Sequence, residues 1–140
     1  MNIRLQFALL ATLALLACTD EHLPPLVASK LVITMPMAGS GMSAGYMVLT
    51  NNSDETITIG GFSSPQFAKV DLHETRIEDG IARMRPLNSI AIEAGDSLVF
   101  EKGGKHLMLM GAKENLEHVT LHLHAGDTLL LTVNTQPGTN

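Results

Sequence analysis

The 140-residue chain predicts an all-β sandwich or barrel, and three observations carry that expectation. Most of it reads as short β-branched or alternating apolar runs broken by Gly, Asn, Asp and Pro. No stretch sustains a helical period. Two turns nearly repeat, Ala94-Gly95-Asp96-Ser97-Leu98 and Ala125-Gly126-Asp127-Thr128-Leu129, each placing Gly-Asp ahead of a strand. An immunoglobulin-like sandwich would give the same pattern.

In chain order, Arg4 precedes an apolar stretch from Leu5 to Ala17 that ends at Cys18. This is the layout of a secretory signal, too short to span a membrane as a helix, so residues 1–17 stand outside the fold. Leu15-Leu16-Ala17-Cys18 resembles a bacterial lipobox, in which the cysteine is acylated and becomes the mature N-terminus. Leu16 is bulkier than the residue usual there, which leaves ordinary cleavage nearby as the alternative. The lipobox reading implies a bacterial periplasmic protein held to the membrane only through Cys18. Thr19, standing where an aspartate would retain it at the inner membrane, points to the outer one. Residues 18–29, with Pro24-Pro25, then form a tether, and residues 30–140 the β-domain. Strands are expected at residues 31–35, 46–50, 56–62, 69–77, 81–85, 97–100, 106–110, 119–124 and 128–133.

Composition narrows the function. Nine Lys and Arg face fourteen Asp and Glu, a formal charge of −5, so nucleic acid is not an expected partner. Cys18 is the only cysteine. No disulfide can form within the domain, and neither a blue-copper centre, which needs a thiolate, nor a CxxC reductase is available.

His73, Met84, His106 and Met108 are the candidate metal ligands. Two thioethers and two imidazoles make a soft, neutral set that suits Cu(I) and suits calcium, magnesium or manganese poorly. Asp79-Gly80 separates two strand candidates and favours a two-residue hairpin turn. With that turn Thr75 faces Met84 and His73 faces Pro86, so His73 and Met84 share a face as diagonal neighbours. His106, Met108 and Met110 alternate with Leu107 and Leu109 and line one face of their strand. Met110 is read as a packing or supporting residue, and Arg83 and Arg85, flanking Met84, as solvated or as aids to a docking partner.

The run from His73 to Met110 resembles the H-x10-M-x21-H-x-M signature of the periplasmic copper chaperones called the PCu(A)C family. Upstream, Gly45-Tyr46-Met47-Val48-Leu49-Thr50-Asn51 is similar to that family's G-Y-M-x-x-x-N strand, and the likeness takes in Ser63-Ser64-Pro65. It covers roughly residues 30 to 133. The resemblance implies a cupredoxin-like Greek-key β-sandwich or barrel that closes strand on hairpin. It also implies one Cu(I) on the four named residues, and a monomeric, non-enzymatic carrier. The copper-receiving partner it implies is the cytochrome c oxidase subunit with the dinuclear copper site, served together with a Sco-type thiol protein.

Two further clusters carry weaker readings. His118, His122 and His124 could hold divalent copper or zinc, or form an exposed polar face. Met35, Met37 and Met42, in a Pro- and Gly-rich stretch, could hold copper loosely or make loop contacts. The competing functions are copper sequestration, a copper-dependent oxidase, and a lipid-anchored interaction module without metal. No nucleophile, base and orienting group stand in a recognisable arrangement, which counts against the enzyme.

Overall fold

The computed structural model describes residues 23–36, 38–113 and 116–138. The expected signal segment, Cys18, residues 18–22 of the expected tether and Met37 lie outside the described residues. The described chain forms eleven strands: β1 (Leu26–Ile33), β2 (Ser43–Asn51), β3 (Ile57–Ile59), β4 (Gly61–Ser63), β5 (Phe67–Glu78), β6 (Ile81–Pro86), β7 (Ile90–Ile92), β8 (Ser97–Phe100), β9 (Lys105–Ala112), β10 (Val119–Ala125) and β11 (Thr128–Thr135). No helix occurs among the described residues, as the absence of a helical period predicts.

Nine strands make one sheet in the order β1-β2-β9-β5-β4-β10-β11, with β6 added beside β5 and β8 beside β2; β3 and β7 pair separately. The ends of this path meet. Gly138 N–H donates to Ile33 O at 2.9 Å and Met35 N–H to Gly138 O at 3.1 Å, so the sheet curls into a nearly closed barrel. Ile33, Met47, Leu49, Ile59, Leu107, Leu109, Val119, Leu121 and Leu123 are fully buried inside. Strict alternation along β2 puts Ser43, Gly45, Met47, Leu49 and Asn51 inward and leaves their neighbours half-buried outside.

Two residues of the first motif have structural duties. A Cβ on Gly45 would stand 3.2 Å from both Ile33 Cδ1 and Leu107 Cβ, so a side chain here would force β2 away from β9. Asn51 is fully buried and staples a loop. Its Nδ2 donates to the carbonyls of Glu55 (2.7 Å), Ile92 (3.0 Å) and Glu93 (3.1 Å), while Oδ1 accepts from Ser53.

The strand expectations differ from the structure in three places. β1 starts at Leu26, inside the expected tether, and its alternation is broken by a register shift between Ser29 and Val32 with Lys30 at φ 54°. The single strand expected over residues 56–62 divides at Gly60, where the chain passes from the β3–β7 pair to the main sheet and Gly60 N–H donates to His124 O at 2.8 Å. β7, three residues long, is too short to announce itself by alternation.

Candidate metal centre

The β5–β6 hairpin is built as the sequence predicts. Asp79 and Gly80 both have positive φ, 53° and 77°, the pair of left-handed residues that a type I′ turn requires. The register follows from it: Thr75 lies opposite Met84 and His73 opposite Pro86. His73, Thr75, Ile77, Ala82, Met84 and Pro86 therefore occupy one face of the hairpin.

On the other side of β5, strand β9 pairs His106 directly with His73 and Met108 with Asp71. Leu107 and Leu109 point into the core, so His106 and Met108 emerge on the outer surface of the barrel, the face that carries His73 and Met84. The four candidates thus come from three adjacent strands. The two imidazoles lie stacked, ring centroids 6.2 Å apart and planes inclined by 27°.

His106 is 6% exposed, and its Nδ1 lies 3.0 Å from Gly104 O. A carbonyl only accepts, so Nδ1 carries the proton, and in the neutral ring Nε2 keeps the free lone pair. Gly104 O also accepts from Thr75 N–H at 3.0 Å, which locks the loop before β9 to β5 and fixes the imidazole in orientation. His73 Nδ1 is buried and makes no hydrogen bond. A buried polar nitrogen left so is unfavourable by about 1–3 kcal/mol, and an ion bound there would relieve it. Donor chemistry and this orphaned nitrogen both fit a soft metal ion.

Met84, His106 and Met108 line one cavity of about 460 Å³. Thr34, Met35, Met42, Ser43, Ala44, Tyr46 and Lys102 complete its wall. His73, though paired with His106, is not on the cavity wall, and Met110, opposite Lys69, is also not part of it. Among the described residues Lys102 is the one Lys, Arg, Asp or Glu on the wall.

Arg83 and Arg85 flank Met84 in sequence but occupy the opposite face of the hairpin. Both pair with Glu78, at 3.2 and 2.9 Å. The hydrogen bond from Arg85 holds the Glu78 carboxyl below its ordinary range, and those from Lys105 and Arg76 do the same for Glu74. Within the paired stretch of the hairpin these charges lie on the face away from Met84 and His73, while Asp71, opposite Met108 and paired with Lys69, is charged and lies on the ligand face of β5.

In the histidine cluster only His122 and His124 come together, with ring centroids 6.3 Å apart. His118 precedes β10, while His122 bonds Thr132 Oγ1 at 3.0 Å and His124 bonds Ser63 Oγ at 2.9 Å. Among the described residues no group of three or more His, Cys, Asp or Glu could hold a metal ion.

Residues 26–137 match the family described as "Putative lipoprotein LpqE-like". The chain belongs to the LpqE-like family. A curated relative of this LpqE-like chain, "Putative lipoprotein Lxx21020" of Leifsonia xyli subsp. xyli, is 37% identical over 97 residues, 65% of this chain; the match spans 58% of the relative's own length. Among solved structures, CuI-DR1885 from Deinococcus radiodurans superposes with TM-score 0.65 at 28% identity, covering 88% of this chain and 84% of that one. Apo-DR1885 gives TM-score 0.61 at 28% identity over 100% and 95%. The copper-bound PCuAC domain from PmoF2 gives 0.60 at 18% identity over 82% and 92%, a likeness of fold. The LpqE-like domain accordingly has the cupredoxin-like β-sandwich fold of PCuAC domains, which excludes the immunoglobulin-like reading.

Proposed function

We propose that this domain binds one Cu(I) through His73, Met84, His106 and Met108 outside the cytoplasm and passes it to another protein. The observation that carries the reading is the shared outer face of the four side chains, with His106 Nε2 freed by the Gly104 carbonyl and His73 Nδ1 buried without a partner. The DR1885 structure, solved with CuI, supports the choice of metal. Thioether and imidazole are neutral ligands that favour Cu(I) over harder ions and lack the redox lability of thiolate.

The structure gives the ligands unequal freedom. His106 is clamped by a hydrogen bond on a central strand, whereas Met84 sits on the added strand β6, is 52% exposed and has a flexible stem. Release begins when Met84 swings away and an incoming donor takes its place, with the histidines holding the ion until last. No electron is transferred. The recipient is a copper-receiving protein, for which the PCu(A)C resemblance supports the dinuclear copper centre of cytochrome c oxidase, with a Sco-type thiol protein as co-worker. The domain acts as a carrier and not as an enzyme. Its place is at the membrane surface, held through acylated Cys18, a reading that the family description supports.

The deciding experiment is anaerobic Cu(I) titration of the Cys18→Ser chain, which removes the one thiol that would compete, followed by X-ray absorption. One tightly held ion with nitrogen and sulfur neighbours is expected. Failure to bind, or oxygen-only coordination, overturns the reading. In cells, membranes should retain the wild-type chain, and Cys18→Ser should release it or leave it unprocessed; a wholly soluble wild-type protein overturns the anchor.

A further inference from the structure

Among the described residues four methionines, not two, line the cavity beside His106: Met84 and Met108 from the proposed site, and Met35 and Met42 besides. The second pair is brought there by the end of the β1–β2 hairpin. Thr34 N–H donates to Ala44 O and Ala44 N–H to Thr34 Oγ1, both at 2.9 Å, and Met35 and Met42 lie just beyond this closing pair, in the segment that joins β1 to β2. Met35 N–H is tied to Gly138 O at 3.1 Å, which holds its backbone while the side chain remains 48% exposed. Neither residue belongs to the sequence signature. A core-filling role does not explain a half-exposed methionine at a cavity mouth.

We infer that Met35 and Met42 form an outer thioether pair that takes a soft monovalent cation from solution or from a donor and relays it to the four-residue site. The inference rests on the Cu(I) reading of that site. Two neutral sulfurs bind Cu(I) or Ag(I) weakly and select against hard divalent ions. Lys102 on the same wall works in the same direction, because its repulsion of a divalent ion is twice that of a monovalent one at equal distance. A weak pair beside a tighter set serves as a stepping position. It lowers the barrier to entry and to exit alike, and leaves the equilibrium affinity of the inner set unchanged.

The test compares the full chain with its Met35→Leu/Met42→Leu variant, both carrying Cys18→Ser. Anaerobic stopped-flow mixing with Cu(I)-bicinchoninate follows loading, and mixing of the loaded chain with free bicinchoninate follows release. Both rates should fall about tenfold in the variant, a barrier higher by about 1.4 kcal/mol, with Kd held within about twofold. Unchanged rates overturn the relay. A Kd weakened tenfold also overturns it, since the pair would then belong to the resting site. A second arm uses methyl-13C-methionine and Ag(I) on the Met84→Leu/Met108→Leu variant. Shifted methyl resonances of Met35 and Met42 support an outer pair that binds without the inner thioethers, and unmoved ones overturn it. Were the four-residue reading alone to fail, wild type would bind no tight Cu(I) while these outer resonances still moved.

Discussion

Replacing Met108 by Leu isolates the contribution of one sulfur. The side chain leaves β9 on the outer face, half-buried, opposite Asp71, while the adjoining Leu107 and Leu109 remain in the core. Leu conserves volume and apolar character, so the fold should lose less than about 1.5 kcal/mol. The metal loses one of its four proposed donors. Disturbing a residue that merely supports a ligand weakens metal binding by about 10–100-fold, so deleting a ligand outright should weaken Cu(I) binding at least about 100-fold, or about 2.7 kcal/mol. Competition against a Cu(I) chelator measures the affinity, and thermal unfolding of the apo chain checks the fold. The control is His122→Asn/His124→Asn, which removes side chains engaged with Thr132 and Ser63 and should leave Cu(I) affinity nearly intact. Abolished binding in the control beside unchanged binding in Met108→Leu would refute the assignment of strands to the site.

Gly80→Ala meets no steric obstacle but must hold φ at 77°, an unfavourable change of about 1–2 kcal/mol that should show in thermal unfolding and, by loosening the hairpin under Met84, in a weaker Cu(I) complex. Gly45→Ala should destabilise the apo chain by about 1–3 kcal/mol in denaturant unfolding, because the new methyl presses on Ile33, Leu107 and Leu109 at 3.2–3.3 Å. Acid should loosen the hairpin. Glu78 has its folded-state pKa held below the ordinary 4.5 by Arg85, so its contribution is complete above that value and disappears as pH falls through the lowered one. Amide exchange in β5 and β6 should accelerate in that window, and Glu78→Gln should remove the dependence; being exposed, the effect should shrink in high salt.

The parts of the site that were legible in sequence are those set by local rules. Asp79-Gly80 dictates its own turn, the turn dictates the pairing of Thr75 with Met84, and period-2 alternation separates His106 and Met108 from Leu107 and Leu109. The same alternation sends Arg83 and Arg85 to the face away from Met84, a consequence of spacing that proximity in sequence conceals. What stayed hidden depends on contacts distant in the chain or on broken patterns. The bulge at Lys30 interrupts the periodicity of β1 and masked its start at Leu26. The Gly104 carbonyl that orients His106 is a backbone atom, and no residue type announces it. The meeting of Met35 and Met42 with Met108 across one cavity requires β2 to lie beside β9, a crossover that neither strand encodes by itself.

Strand β9 shows how such a domain can change its taste in ions without risking collapse. Its odd-numbered leucines are spent on cohesion and its even-numbered positions, the buried His106 included, face the other way, so the two sets answer to separate selective pressures. On the proposed ligand assignment, substitution at 108 would retune ion preference while Leu107 and Leu109 keep their packing. A scaffold partitioned in this way is evolvable, and for protein engineers it offers a surface on which imidazole, thioether, thiolate or carboxylate can be exchanged over an unaltered foundation.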